Sequence, residues 1–175
     1  MSTGKIIGGL FGYFAGGIFT ALLGIFVGHQ FDRGLGGFLN PMSREEQERV
    51  RTSYFETLFS LLGHLAKSDG RISKVEIAQA EGLMDNMGLD TSHRRVAIDL
   101  FKQGSKADFS VDQTMAAFVA VCGRHNNLKR SLLNYLIALA MADGELHGGE
   151  QAVLKTVAKH LGFSAALFEK LIEMV

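Results

Sequence analysis

"LAKSDGRISKVEIAQAEGLMDNMGL" (residues 65–89) and "LAMADGELHGGEQAVLKTVAKHLGF" (residues 139–163) align without a gap at an offset of 74. Leu65, Ala66, Asp69, Gly70, Glu76, Ala78 and Gly88 recur as Leu139, Ala140, Asp143, Gly144, Glu150, Ala152 and Gly162. Upstream, Leu58 and Leu62 match Leu132 and Leu136. Each copy reads as helix, D-G turn, helix, because apolar spacing at three and four stops at the turn and then resumes. Two copies predict a bundle with an internal pseudo-twofold repeat. A solenoid would need more of them.

Helix starts recur outside the copies as well. Ser43 with Glu46, Ser73 with Glu76 and Ser110 with Gln113 each fit the capping box, in which serine and the residue three on satisfy each other's backbone donors. Gly63, Gly70, Gly88, Gly104, Gly123, Gly144 and Gly162 are read as punctuation at helix ends or turns. No stretch alternates as a strand does. The predicted helices cover 43–67, 73–87, 91–103, 110–122, 127–142, 148–161 and 164–174.

A different composition precedes this region. Glycine crowds the first 37 residues, and residues 6–28 carry no formal charge. As a helix this run rises roughly 34 Å, enough for a hydrocarbon core of about 30 Å. A signal peptide would have a shorter apolar run ending at an A-x-A-like site, which "GHQFD" (28–32) does not supply. An uncleaved anchor is the preferred reading. Arg33, Arg44, Arg49 and Arg51 follow it, so the positive-inside rule places the bulk of the chain in the cytoplasm and a short N-terminus outside. The chain is thus all-α: a single N-terminal transmembrane helix (1–32), a glycine-rich linker with the only proline, Pro41 (33–42), and a helical domain (43–175).

Within the anchor, glycine falls at 4, 8, 12, 16, 24 and 28. Residues four apart lie nearly above one another on a helix, so bare Cα positions form a groove for a second helix. Gly8, Gly12, Gly16, Gly24 and Gly28 are therefore the candidate contacts of a homodimer in the lipid bilayer. Glycine that merely fills an anchor remains the alternative, since small-xxx-small patterns are frequent in membrane helices.

The bulk numbers set limits. Eighteen basic and eighteen acidic side chains cancel, which argues against a nucleic-acid partner. One cysteine, Cys122, forbids an internal disulfide framework. No nucleophile–base pairing, phosphate loop or dinucleotide fingerprint occurs, so an enzyme is not expected.

The repeated acids have two readings. In the structural one, Asp accepts backbone N–H groups in the turn, Gly supplies positive φ, the following apolar residue plugs the core, and Glu caps the next helix. In the functional one, Asp69, Glu76, Asp143 and Glu150 gather into an oxygen-rich site for a divalent cation such as calcium. An EF-hand is excluded, because neither loop has carboxylates at its successive odd positions. Other groups read more blandly. Cys122 and His125 lack two further ligands for a closed zinc site, and a buried thiol beside a surface histidine is preferred. His29 suits a position among head groups. His64 and His147 flank the repeated turns, and His93–Arg95 is a solvated basic patch.

"GKIIG" (4–8), "GHQFD" (28–32), "GHLAKSDGR" (63–71), "LMDNMGL" (83–89) and "ADGELHGGE" (142–150) resemble the membrane-anchored DnaJ-like protein A family of bacteria, in order and over nearly the whole chain. The region after the linker also resembles the TerB (tellurite-resistance protein B) helical domain, with its paired D-G…E units. The resemblance implies an inner-membrane protein with one N-terminal span, a dimerising glycine-rich helix and a cytoplasmic TerB-like domain. In that family a linker and a C-terminal J-domain follow, which stimulates the Hsp70 chaperone DnaK. The J-domain's His-Pro-Asp does not occur in these 175 residues. The expected function is a dimeric, membrane-anchored interaction and regulatory module that binds a protein partner and would reach DnaK only through a J-domain. The alternative is a cation-binding stress module of the tellurite-resistance type.

Overall fold

The computed structural model describes residues 43–173, except 69, 71, 73 and 142–145. Seven helices follow one another: α1 (Arg44–Lys67), α2 (Lys74–Asn86), α3 (Thr91–Gly104), α4 (Val111–Cys122), α5 (Asn126–Ala140), α6 (Gly148–His160) and α7 (Ala165–Ile172). No strand occurs among the described residues. Nor, among them, is any helix long and apolar enough to cross a membrane.

Four helix starts carry a side-chain cap; α5 begins at His125 without one, and Ser73, expected to cap α2, lies outside the described residues. Ser43 Oγ accepts the Glu46 N–H at 3.1 Å to begin α1, and Ser110 Oγ accepts the Gln113 N–H at 3.3 Å to begin α4. Two caps lie outside the serine–glutamate pattern. Asp90 accepts the His93 N–H at 2.8 Å, and Ser164 accepts the Leu167 N–H at 3.2 Å. Each cap satisfies a first-turn donor that has no partner within its helix.

The repeat is present as geometry. α6 spans the positions 74 after those of α2, and α5 those 74 after residues 52–66 of α1. α2 and α6 also end alike. Gly88 and Gly162 adopt positive φ (64° and 79°), and the N–H groups of Leu89 and Phe163 bond back to Met84 and Ala158 carbonyls at 3.1 and 3.0 Å. These are Schellman caps, which glycine occupies without Cβ strain.

Helix α1 runs through the middle, packed by α3, α4, α5 and α6. Its Leu58, Phe59, Leu61 and Leu62 are buried with Met115 and Phe118 of α4, Leu132, Leu133, Leu136 and Ile137 of α5, and Leu154 and Val157 of α6. α4 runs antiparallel to α1. The His64 ring meets Phe109 just before α4 (5.1 Å between centroids), Tyr54 meets Phe118 (6.3 Å), and Cys122 Sγ lies 3.8 Å from the Val50 carbonyl. α5 then returns alongside α1 in the same direction, with Tyr54 donating to Ser131 Oγ at 3.2 Å. Burial pushes the Tyr54 phenol well above its ordinary pKa.

The two copies pack unequally. α6 touches α1, α4, α5 and α7, whereas α2 buries only Ala80, Leu83 and Met84 and leaves Val75 and Ile77 exposed. Arg94 of α3 ties α2 down by pairing with Asp85.

Among the described residues one glycine differs from its sequence reading, and Gly144 lies outside them. Gly63 sits inside α1, not at a helix end or turn. A Cβ there would stand 1.9 Å from the Phe101 carbonyl oxygen, and a Cβ on Gly104 would stand 1.8 Å from that of Ser60. The two glycines are a reciprocal pair that lets the α1 and α3 backbones touch. A crossing glycine and a terminating glycine look alike in one sequence.

Candidate functional site

Both copies contribute to one recess. Leu62, Leu65 and Ala66 of α1, Glu76 and Ala80 of α2, Phe101 of α3, Leu139 and Ala140 of α5, and Glu150 of α6 line it, together with Gln79. Its volume of about 20 Å³ has room for one water molecule or small ion. Each glutamate stands in the first turn of its helix, and that turn follows the C-terminal end of α1 or α5. Because α1 and α5 run side by side in one direction, the repeated glutamates arrive at the same end of the domain.

Glu150 is 8% exposed, a rare degree of burial for a carboxylate. Its Oε2 accepts the His147 backbone N–H at 3.0 Å, with His147 Nδ1 3.5 Å away. This is the helix-capping role expected for the repeated Glu. Gly70, in the first D-G turn, has φ 99°, and Ile72 and Leu146 behind the two turns are half-buried. The structural reading of the D-G…E unit is thus visible at Gly70 and Glu150.

The four proposed metal ligands fare differently. Glu76 and Glu150 are brought to the common recess, while Asp69 and Asp143 lie outside the described residues. Among the described residues, no group of three or more His, Cys, Asp or Glu is set to hold a metal ion. One detail beside the first turn is unusual: Ser68 Oγ is buried without a hydrogen-bond partner. The dimerisation glycines Gly8, Gly12, Gly16, Gly24 and Gly28, and His29, also lie outside the described residues.

The remaining groups are structural. Cys122 is fully buried, and burial pushes its thiol up. His93 lies 2.9 Å from Asp90, whose carboxyl is held below the usual range, chiefly by the His93 backbone N–H and then by Ser92. His64, Phe109, Asp112, Val153 and Thr156 line a second groove, and His160 Nε2 lies 2.6 Å from Asp112. No single-sequence signal links His160 to Asp112, because their juxtaposition depends on how α4 crosses α6.

A bundle of capped helices with a twice-used helix–DG–helix unit defines the class. The chain belongs to the TerB family, whose model, described as tellurite resistance protein TerB, matches residues 55–172. Residues 1–38 match a second model, the co-chaperone DjlA transmembrane domain. Over nearly its whole length the chain is similar to co-chaperone proteins DjlA. It is 37% identical to that of Yersinia pseudotuberculosis over 98% of this chain and 62% of the relative. It is 36% identical to that of Haemophilus influenzae over 98% and 60%, and 38% identical to that of Legionella pneumophila over 92% and 55%. The chain thus spans about three fifths of the length of these curated relatives. No solved structure matches it significantly.

Proposed function

We propose that the chain is a membrane-anchored interaction and regulatory module of the DjlA type. The observation that carries this is the similarity to DjlA proteins along the whole chain, with residues 1–38 matching their transmembrane domain. The span fixes the chain in the inner membrane with its N-terminus outside. The glycine stripe pairs two copies, and residues 43–175 present a helical domain to a cytoplasmic protein partner. Stimulation of a DnaK-type Hsp70 would come from a J-domain, since these residues contain no His-Pro-Asp. The role is one of tethering and recognition and not of catalysis.

Self-association tests the dimer. Gly12→Ile places a branched side chain in the groove, so cross-linking of the full chain in membranes should fall to the monomer level. Undiminished cross-linking would remove the stripe from the account.

A second reading is favoured by one observation, the shared recess of Glu76 and Glu150. With Asp69 and Asp143 from the adjoining turns, four carboxylates make a donor set suited to calcium. Calcium should then raise the Tm of the full chain relative to chelator. An equal rise in Asp69→Asn/Asp143→Asn would refute these ligands.

A further inference from the structure

The corner between α4 and α5 concentrates positive charge. It carries Arg124, His125, Lys129 and Arg130, and no Asp or Glu occurs between Asp112 and Asp143. Arg124 and Arg130 are exposed, and Lys129 is half-buried. Among the described residues, none of these three takes part in an ion pair. A basic run of this kind is most often a solvated face, so its position has to decide.

Two contacts fix that position. Cys122 Sγ rests on the Val50 carbonyl, and Tyr54 bonds to Ser131, so the corner lies beside the N-terminal turns of α1. The chain reaches α1 from the uncharged run through residues 30–43, fourteen residues rich in glycine. Fourteen residues reach at most about 50 Å even when fully extended. Anything tethered so closely meets the surface at an effective concentration on the order of millimolar, which makes weak attraction sufficient. The first turns of α1 add Arg44, Arg49 and Arg51 against Glu45, Glu46 and Glu48, with Arg51 and Glu48 paired at 3.3 Å, and their charges cancel. The uncompensated charge at this end therefore belongs to the corner. Glu76 and Glu150 stand at the other end, in the turns that follow the C-termini of α1 and α5.

We infer that Arg124, Lys129 and Arg130 dock on the anionic head groups of the membrane that holds the chain's own anchor, leaving the repeat end with Glu76 and Glu150 turned away from the bilayer. This rests on the anchoring proposed above. Each basic residue near an anionic surface strengthens association about fivefold, so the three together supply roughly a hundredfold. The attraction weakens in salt, because the Debye length shortens to about 3 Å at 1 M.

The chain has no tryptophan, so Asn127→Trp, exposed in the first turn of α5, provides a single donor for energy transfer to dansyl-labelled lipid. The full chain with this reporter is placed in nanodiscs of phosphatidylcholine, with or without phosphatidylglycerol. Greater transfer in the anionic discs, lost in high salt and in Arg124→Gln/Arg130→Gln with unchanged helix content, is the expected result. Equal transfer in both discs overturns the docking while leaving the anchor intact. A chain that co-elutes with neither disc overturns the anchoring itself, and this inference with it. The salt series on the reporter chain needs no charge variant, so it decides even if that variant misfolds.

Discussion

Replacing Gly63 with alanine probes the close backbone crossing of α1 and α3. The added Cβ would lie 1.9 Å from the Phe101 carbonyl oxygen and 2.7 Å from its carbon, where ordinary contact needs about 3.4 Å. Both obstacles are backbone, so no side chain can swing aside and the helices must part by roughly 1.5 Å. Overpacking of this kind costs about 3 kcal/mol, against a gain of about 1 kcal/mol because alanine favours helix over glycine. The net loss of about 2 kcal/mol corresponds to a Tm lower by roughly 6–10 °C for a domain of this size. Gly104→Ala should behave alike, since its Cβ would meet the Ser60 carbonyl oxygen at 1.8 Å. The double variant should lose less than the sum, because the first methyl already separates the helices. Gly82→Ala is the control: it lies within α2 with nothing inside 4 Å of the new Cβ, so it should raise the Tm. Thermal unfolding of the full chain in detergent, followed by circular dichroism, reads all four. A Gly63→Ala chain as stable as the unsubstituted one, or more stable, would refute the close crossing.

Three further outcomes are expected. The Asp90 carboxyl should titrate below the ordinary aspartate range by NMR, because it accepts the His93 N–H and the Ser92 hydroxyl. Its folded pKa is depressed, so its contribution is present above the unfolded pKa and fades as pH falls toward the folded value; Asp90→Ala should lower the Tm at neutral pH more than at acid pH. Cys122 should resist alkylation in the folded chain at pH 8 and react once the chain is unfolded, whereas rapid labelling of native protein would contradict its burial. Gly88→Ala should destabilise by about 1 kcal/mol through its positive φ alone, with no clash, as an unchanged Tm would disprove.

Much of this fold can be read locally. Ser43 and Ser110 mark helix starts because a cap needs only residues three apart, and Gly88 and Gly162 mark ends for the same reason. The 74-residue repeat carries the correspondence of α2 with α6. What escapes a single sequence is pairing between distant positions. Gly63 with Gly104, His160 with Asp112 and the Val50–Cys122 contact each join elements that cross at angles no local pattern encodes. The unequal packing of α2 and α6 is hidden likewise, since the matching residues are the ones both copies share. Of the candidate site, the pairing of Glu76 with Glu150 was legible as a repeat, and the apolar walls of their recess were not.

Topology tests the central proposal most directly. Inverted inner-membrane vesicles and intact spheroplasts bearing the full chain are each treated with trypsin and washed with carbonate. The account predicts that the chain resists extraction, that residues 43–175 are digested in inverted vesicles, and that they are protected in spheroplasts. Release by carbonate, or digestion in spheroplasts, would contradict it.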